Sequence, residues 1–200
     1  MSLSSLSVGR TLVSIPDAQP LARWAWATLL VVIGVGVLAL TAQIRVPVPG
    51  SPVPITGQTL GVLLLAAAYG SRLGSTSVAA YLAVGIAGVP IFQNGGAGMA
   101  VINGPTGGYL IGFLVAAWIV GELAESRWDR VWYLTIAAMV LGNIVIYMCG
   151  VTHLAGIVGW ERVWALGVAP FLIGDAIKIA IAAAALPTAW KLMERGAPRS

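Results

Sequence analysis

Charged residues are scarce in this chain. Asp, Glu, Lys and Arg make up 9% of its 200 residues, and 58% of the residues are hydrophobic. Soluble domains carry about 25% charged residues, so this composition predicts a membrane protein. The 11 Lys and Arg residues are spread over the predicted loops and termini. This scatter does not form a basic face for nucleic acid and instead fits loops that face the cytoplasm.

Residues that build metal or catalytic centres are also few. The single cysteine, Cys149, rules out an intramolecular disulfide and a cysteine-based metal cluster, and we expect it to serve packing only. The single histidine, His153, has no second metal-ligand type nearby and is predicted to be a loop residue. The sequence has no G-x-x-x-x-G-K-S/T, H-E-x-x-H or G-x-S-x-G motif. We therefore expect no ATP site, no metal, no cofactor and no enzymatic activity.

Apolar stretches, by contrast, fill most of the chain. A helix needs about 20 apolar residues to cross a bilayer. Six stretches approach or exceed that length: Leu21–Ala42, Gln58–Leu73, Gly74–Val89, Gly104–Leu123, Val131–Gly150 and Val163–Trp190. They predict an all-α integral membrane protein with six transmembrane helices in one domain, residues 21–192. Residues 1–20 and 193–200 are predicted to be tails, and the first does not have the pattern of a secretory signal.

The segments between these stretches predict different structures. Residues 44–56 contain Pro47, Pro49, Pro52 and Pro54, which favour a stiff extended loop or turn over a helix. Residues 70–74 are rich in Gly and Ser and predict a tight turn. Residues 90–103 read as a glycine-rich connector, residues 122–130 as a charged loop and residues 152–162 as another connector. Glycines spaced by four at the start of the fourth stretch predict close helix packing inside the bundle.

The Lys and Arg residues divide unequally between the two ends of the predicted bundle. Eight lie on the side of the two termini, whereas only Arg45 and Arg162 lie on the other side, and Lys178 lies inside the last helix. Cytoplasmic loops are enriched in Lys and Arg. We therefore expect a multi-pass protein of the cytoplasmic membrane with both termini in the cytoplasm. Residues 44–56, 90–103 and 152–162 would then lie together on the outer face.

One pair of opposite charges is predicted to lie inside the membrane. Asp175 and Lys178 are the only charged residues between Val163 and Trp190. A charge at the centre of a membrane helix costs roughly 2.5–3.5 kcal/mol on insertion scales. Three residues apart, the two side chains can face one cavity. Three interpretations follow, namely ligand binding, a proton or ion relay, and a purely structural pair.

The chemistry of the pair indicates what kind of ligand it suits. An ionised aspartate only accepts hydrogen bonds and a lysine only donates them. Together they suit a neutral group that does both, such as a urea or an amide ring. Side-chain amides lie at or near the predicted outer ends of the stretches, at Gln43, Gln58, Gln93, Asn94 and Asn103. Each is able to cap a helix or to bind a polar solute, and Arg45 is able either to attract an anionic ligand tail or to contact lipid headgroups.

Several motifs of the chain resemble those of the BioY family. They are Gln43-Ile-Arg-Val-Pro47 followed by Pro52-Val-Pro-Ile-Thr-Gly-Gln-Thr-Leu60, Gly88-Val-Pro-Ile-Phe92, Gly104-Pro-Thr-Gly-Gly-Tyr-Leu-Ile-Gly112, Ile146-Tyr147 and Asp175-x-x-Lys178. In matching order they cover about Leu38 to Lys191. The resemblance implies a six-helix S-component of an energy-coupling factor (ECF) transporter, with biotin bound in a pocket open to the outside. It also implies a transmembrane coupling subunit and two ATPase subunits as partners.

The resemblance further implies roles for individual residues. Asp175 would accept hydrogen bonds from the N–H groups of the biotin ureido ring, and Lys178 would donate to its carbonyl. Gln93, Asn94 and Gln58 are the next candidate ligand residues, and the carboxylate of the valerate chain would point outward to Arg45. One departure concerns docking. S-components typically dock on the coupling subunit through Ala-xxx-Ala on the first helix, and Leu21–Ala42 contains no such motif.

Three other functions stay open at this point. An S-component for another vitamin would hold biotin no tighter than thiamin or riboflavin. A proton-coupled carrier of small solutes that uses Asp175 would need a proton gradient but no ATPase. A structural scaffold would keep uptake intact after the combined substitutions Asp175→Asn and Lys178→Met.

Overall fold

The computed structural model describes residues 11–13 and 19–196. Its helices are α1 (Pro20–Gln43), α2 (Gln58–Ile86), α3 (Met99–Asn103), α4 (Gly107–Glu125), α5 (Trp132–Val158), α6 (Trp160–Gly167) and α7 (Leu172–Gly196). Two short strands, β1 (Arg45–Val46) and β2 (Ile55–Thr56), pair in antiparallel orientation. Turns of 3-10 helix occur at Gln93–Gly95, Trp128–Arg130 and Ala169–Phe171. The parts of the two predicted tails at residues 1–10, 14–18 and 197–200 lie outside the described residues.

The helix α2 is a hairpin of two arms. Gly70 has φ 82° and ψ 176°, which breaks the helix between residues 58–69 and residues 71–86. Gln58 Nε2 donates to the Tyr81 hydroxyl at 2.9 Å, whereas a straight helix would separate these residues by about 34 Å. The arms are therefore antiparallel, and the predicted turn at residues 70–74 is confirmed. Together with α1, α4, α5 and α7, the two arms give the six predicted helical segments.

Among the described residues, four segments are long and apolar enough to cross a membrane, by length and composition: Pro20–Gln43, Gly107–Glu125, Trp132–Val158 and Trp160–Arg195. The last of these contains both α6 and α7. The helix α4 lies at the centre of the bundle, between α2 and α5, and most of its residues are buried. By contrast, α1 packs mainly on α2 and leaves most of its surface exposed. The side of α1 that faces away from α2 is therefore open to lipid or to a partner.

The glycines of α4 permit its close contact with α5. A Cβ atom on Gly108 would lie 2.4 Å from His153 Cβ, and one on Gly112 would lie 2.9 Å from Ile146 Cα. Both positions therefore require glycine, and the predicted packing inside the bundle is confirmed for this pair. The helix begins at Gly107, three residues later than the predicted start, because residues 104–106 form the turn that precedes it.

The two ends of the bundle carry different structures. The strand end contains the β1–β2 hairpin, α3 and α6. The bend end contains the Gly70 bend, the 3-10 turn Trp128–Arg130 and the C-terminal part of α7. The loop predicted for residues 44–56 is confirmed as an extended hairpin in which Arg45 pairs with Thr56. The direction of these two ends across the membrane stays a prediction.

The connections at the strand end are more helical than the sequence predicted. Residues 99–103 form α3 within the predicted connector 90–103, and α5 continues to Val158 through residues expected to form a connector. His153 is therefore a helical residue and not a loop residue. Its Nε2 lies 3.0 Å from the Gly104 carbonyl oxygen, so it ties α5 to the turn before α4.

The last predicted span is two helices. Its predicted start at Val163 lies inside α6, and α7 begins at Leu172. Gly159, with φ 86°, ends α5 in a conformation that favours glycine. Pro170 lies in the 3-10 turn after α6, where its missing N–H and fixed φ separate the two helices. The prediction of one continuous helix from Val163 to Trp190 is therefore wrong over its first turns.

Candidate ligand-binding site

A cavity lies at the strand end of the bundle, and together with the open space at its mouth it measures about 590 Å³. Helices α2, α4, α5 and α7 form its walls, and the β1–β2 hairpin and the 3-10 turn at Gln93–Gly95 border its mouth. Most of the wall is apolar or aromatic, at Val53, Phe92, Tyr109, Leu110, Phe113, Ile146 and Phe171. Sites for small molecules are mostly apolar, with a few polar groups. The cavity has the character of such a site.

Asp175 and Lys178 lie together on the wall of this cavity. Both project from the first two turns of α7, and Lys178 Nζ donates to Asp175 Oδ1 at 3.1 Å. Asp175 is only 6% exposed. A buried ion pair contributes little net stability, because desolvation offsets the attraction of the charges. The prediction that both side chains face one cavity is confirmed, and ionisable residues inside membrane segments are typical of functional sites.

Two hydroxyl groups from other helices extend the ion pair into a network. Tyr147 of α5 donates to Asp175 Oδ2, and Lys178 Nζ donates to Thr59 Oγ1 of α2 at 2.7 Å. Helices α2, α5 and α7 therefore meet at one set of polar groups. A lysine ammonium has three N–H groups, and residues of the described chain accept from two of them. The third N–H and the remaining lone pairs of the carboxylate are available to a ligand.

Asn143 adds another polar group to the same wall. It lies one helical turn before Tyr147 on α5, and its Nδ2 donates to the Met139 carbonyl at 3.0 Å. The side-chain oxygen of Asn143 is then left as an acceptor. Asn143, Tyr147 and Thr59 were not predicted as site residues from the sequence. The usable signal was the spacing of Asn143 and Tyr147, because polar groups four residues apart share one helix face.

Gln58 and Gln93 also line the cavity, as the sequence predicted. The Gln58 side chain is already bonded within the protein: its Nε2 donates to the Tyr81 hydroxyl at 2.9 Å, and Thr56 Oγ1 donates to its Oε1 at 3.3 Å. Tyr81 in turn donates to the Ile91 carbonyl at 3.2 Å. Gln58 therefore links β2 to the second arm of α2 and to the segment after it. A ligand contact through Gln58 stays a prediction.

Arg45 and Asn94 lie outside the cavity. They line a neighbouring open groove of about 680 Å³, which also contacts Gln93 and Pro54. Gln93 and Pro54 line the cavity as well, so the two spaces are adjacent. The structure thus brings Asp175 and Lys178 together with Gln58 and Gln93 and places Arg45 and Asn94 further out, beyond the mouth of the cavity.

Gln43 and Asn103 are the other two amides at the predicted outer ends of the stretches. Gln43 Nε2 donates to the Phe92 carbonyl at 3.1 Å and to the Ala39 carbonyl at 3.3 Å. This contact ties the end of α1 to the segment that precedes the 3-10 turn. Asn103 is the last residue of α3. Neither side chain is among those that line the cavity.

Comparison with known proteins decides the family. The model of the BioY family matches residues 16–195 of this chain. The chain belongs to the BioY family. With its apolar helices, this BioY chain is a multi-pass protein of the cell membrane.

Individual BioY relatives are similar over part of their length. A biotin transporter BioY from Thermotoga maritima is 43% identical over 104 residues, 52% of this chain and 60% of the relative. One from Rhizobium etli is 35% identical over 115 residues, 54% of this chain and 62% of the relative. A probable biotin transporter BioY from Pyrococcus horikoshii is 39% identical over 141 residues, 70% and 82% of the two chains. The chain thus spans about three fifths of the first two relatives.

A solved structure shares the fold of this BioY chain. It is the crystal structure of the S-component for biotin from an ECF-type ABC transporter. The TM-score is 0.76 at 23% identity, and the match covers 87% of this chain and 95% of the other. The predicted S-component-like bundle is therefore confirmed as a fold.

Proposed function

We propose that this chain binds biotin in the cavity at the strand end and serves as the substrate-capture subunit of an ECF-type transporter. The observation that carries the proposal is the Asp175–Lys178 pair in the wall of an otherwise apolar cavity. Family membership and the names of the relatives support the choice of biotin. We expect no catalysis and no cofactor, because biotin would be the transported ligand.

The polar groups of the wall are complementary to a ureido ring. Such a ring donates two N–H hydrogen bonds and accepts at its carbonyl, whereas a carboxylate only accepts and an ammonium only donates. Asp175 would accept from a ring N–H, and the free N–H of Lys178 would donate to the ring carbonyl. Tyr147 and Thr59 would keep the two charged groups in place. Asn143 would supply a second acceptor for the ring.

The remainder of biotin would follow the shape of the cavity outward. Its sulfur ring and valerate chain are apolar and suit the aromatic wall, which includes Phe92 and Phe113. Its carboxylate would pass Gln93 at the mouth and reach the groove that contains Arg45 and Asn94. Arg45 would then attract the carboxylate without burying it, which fits a contact in water better than a desolvated ion pair.

Orientation and partners belong to the same proposal. The bend end would face the cytoplasm, because most Lys and Arg residues lie there, and the cavity would open to the outside. The sequence has no ATP site, so energy would come from two ATPase subunits through a transmembrane coupling subunit. The exposed side of α1 is the surface available for docking, although it lacks Ala-xxx-Ala.

Binding of radiolabelled biotin to the purified chain tests the proposal. We expect tight binding by the wild type, strong losses for Asp175→Asn and Lys178→Met, and no competition by thiamin or riboflavin. The matched control is Glu122→Gln, which removes an exposed carboxylate of α4 far from the cavity. Equal biotin binding by the wild type and both cavity variants would refute the site. Uptake that collapses with the proton gradient but persists without ATPase subunits would instead favour a proton-coupled carrier.

A further inference from the structure

The helix α6 is too short to cross a membrane, although it lies between two helices that do. Its eight residues, Trp160–Gly167, span about 12 Å. It follows α5 at Gly159 and precedes α7 after a 3-10 turn, so both of its ends are fixed at the strand end of the bundle. The helix α6 therefore lies at the same end of the bundle as the ends of the two helices that it joins.

The residues of α6 divide into three faces. Val163 and Gly167 are buried against the bundle, whereas Trp160 and Trp164 are 69% and 62% exposed. Successive residues of a helix are rotated by about 100°, which places the two tryptophans side by side along one flank of the buried face. Glu161 and its neighbour Arg162 are exposed and project away from that flank.

The C-terminal end of α6 is bonded to the mouth and wall of the cavity. Ser51 Oγ, in the β1–β2 hairpin, donates to the Leu166 carbonyl at 2.6 Å. Tyr109, in the cavity wall, donates to the Gly167 carbonyl at 2.8 Å. A Cβ atom on Gly167 would lie 2.6 Å from the Tyr109 hydroxyl oxygen. Any contact that fixes the position of α6 therefore also restrains the hairpin at the mouth of the cavity.

We propose that α6 lies in the plane of the lipid headgroups at the strand end, with Trp160 and Trp164 in contact with lipid. Tryptophan is enriched at both membrane–water interfaces, because its ring is apolar and its N–H remains hydrated. The neighbouring residues Ile157 and Ile173 are 50% and 77% exposed on helices that cross the bilayer. They continue the lipid-facing surface on either side of α6 in the chain. Through the hydrogen bond of Ser51, this contact sets the position of the β1–β2 hairpin. The proposal rests on the membrane topology and not on the ligand.

Spin labels in the full chain, reconstituted in phosphatidylcholine bilayers, test where α6 lies. Labels are introduced by Trp160→Cys, Trp164→Cys and Glu161→Cys in a Cys149→Ser background, and each tryptophan variant keeps the other tryptophan. We expect the labels at 160 and 164 to collide with oxygen, which dissolves in lipid, more than with a water-soluble nickel chelate. The label at 161 should show the reverse ratio. Three equally water-exposed labels would overturn the proposal, as would labels at 160 and 164 that are shielded from both reagents, which indicates a protein partner on that face.

A second measurement tests the link to the hairpin. A label at Pro49→Cys, at the exposed tip of the hairpin, reports its mobility. In the same bilayers, Trp160→Ser with Trp164→Ser should narrow the spectrum of that label. The control Trp118→Ser, which removes an exposed tryptophan of α4, should leave the spectrum unchanged. An unchanged spectrum in the α6 double variant, with its fold retained by circular dichroism, would refute the link.

Discussion

The two ends of the bundle each contain a buried aspartate, and the two sites are built in similar ways. Asp175 at the strand end is 6% exposed, and Asp129 at the bend end is 3% exposed. Each accepts a hydrogen bond from an aromatic side chain on another helix, Tyr147 for Asp175 and Trp190 for Asp129. Each also lies beside a cation. Only Asp175, however, borders the cavity.

The partners of the two aspartates explain the difference. Trp190 Nε1 donates to Asp129 Oδ2 at 2.5 Å, and the guanidinium of Arg130 stacks 3.8 Å above the Trp190 ring. Together they tie the 3-10 turn before α5 to the end of α7. A buried aspartate, an aromatic hydrogen-bond donor and a cation thus form a structural clamp at one end and a candidate binding site at the other. Burial and charge do not identify a ligand site by themselves, and the adjoining cavity does.

The largest expected effect is on ligand affinity at the strand end. Asp175→Asn removes the charged acceptor proposed for a ring N–H. Hydrogen bonds to charged groups contribute about 1.5–3 kcal/mol, so this change should weaken biotin binding by up to about 100-fold. Asp129→Asn should leave biotin affinity unchanged, because Asp129 lies at the other end of the bundle. Isothermal titration of both variants measures the contrast. Equal losses would mean that both aspartates act through the stability of the fold.

Removal of the aromatic donor should change biotin affinity at the strand end and the free energy of unfolding at the bend end. Tyr147→Phe removes the hydrogen bond that holds Asp175 and should weaken biotin binding by about tenfold, since bonds to charged groups contribute about 1.5–3 kcal/mol. Trp190→Phe should instead lower the free energy of unfolding by a similar amount with unchanged biotin affinity. Titration together with thermal unfolding in detergent measures both. The comparison fails if Trp190→Phe reduces affinity as much as Tyr147→Phe does.

Removal of a hydroxyl group at each end should show the same contrast with smaller effects. Thr59 holds Lys178 at the strand end, whereas Ser71 donates to Glu125 Oε1 at 2.9 Å at the bend end. We expect Thr59→Val to weaken biotin binding by only about fivefold, or about 1 kcal/mol, because Lys178 keeps its bond to Asp175 when Thr59 is lost. Ser71→Ala should reduce thermal stability alone. A loss of affinity in Ser71→Ala that matched Thr59→Val would indicate that the two ends are coupled.

The candidate site was predictable where a residue conflicts with its surroundings in the sequence. Asp175 and Lys178 are charges in an apolar stretch, and their spacing predicts that both face one side of a helix. Asp129 shows the converse. It lies among other charged residues and reads as part of a solvated loop, because its burial depends on Trp190, 61 positions away in the chain. Long-range contacts of this kind leave no periodic pattern in the sequence.

The fold, too, could be predicted from the sequence only in part. The six helical segments could be predicted from apolar length, and the bend at Gly70 from its turn-forming residues. The sequence did not predict α6, because Trp160, Glu161 and Arg162 interrupt the apolar pattern that marks a membrane helix. Its tryptophans, four residues apart, are the signal of an amphipathic helix. That signal becomes readable only when Val163 and Gly167 are known to be buried.

The smallest expected effect concerns the pH dependence of stability at the bend end. Burial raises the pKa of Asp129 above its ordinary value, and the hydrogen bond from Trp190 only partly opposes this shift. The folded state therefore holds the proton of Asp129 to higher pH than the unfolded state does. The ionised Asp129 carboxylate therefore destabilises the fold. This destabilisation fades as the pH falls towards the ordinary pKa of an aspartate. Asp129→Asn removes this ionisation.

The stability difference between Asp129→Asn and the wild type should therefore shift in favour of the wild type as the pH falls from 7 toward 4.5. Thermal unfolding of both proteins across that range measures the difference, and Glu194→Gln, an exposed carboxylate near the end of α7, is the control. The opposite trend would mean that the ionised carboxylate is the favoured form in the folded protein. Asp129 would then resemble an ordinary ion-pair partner of Arg130, and the structural clamp would depend on its charge.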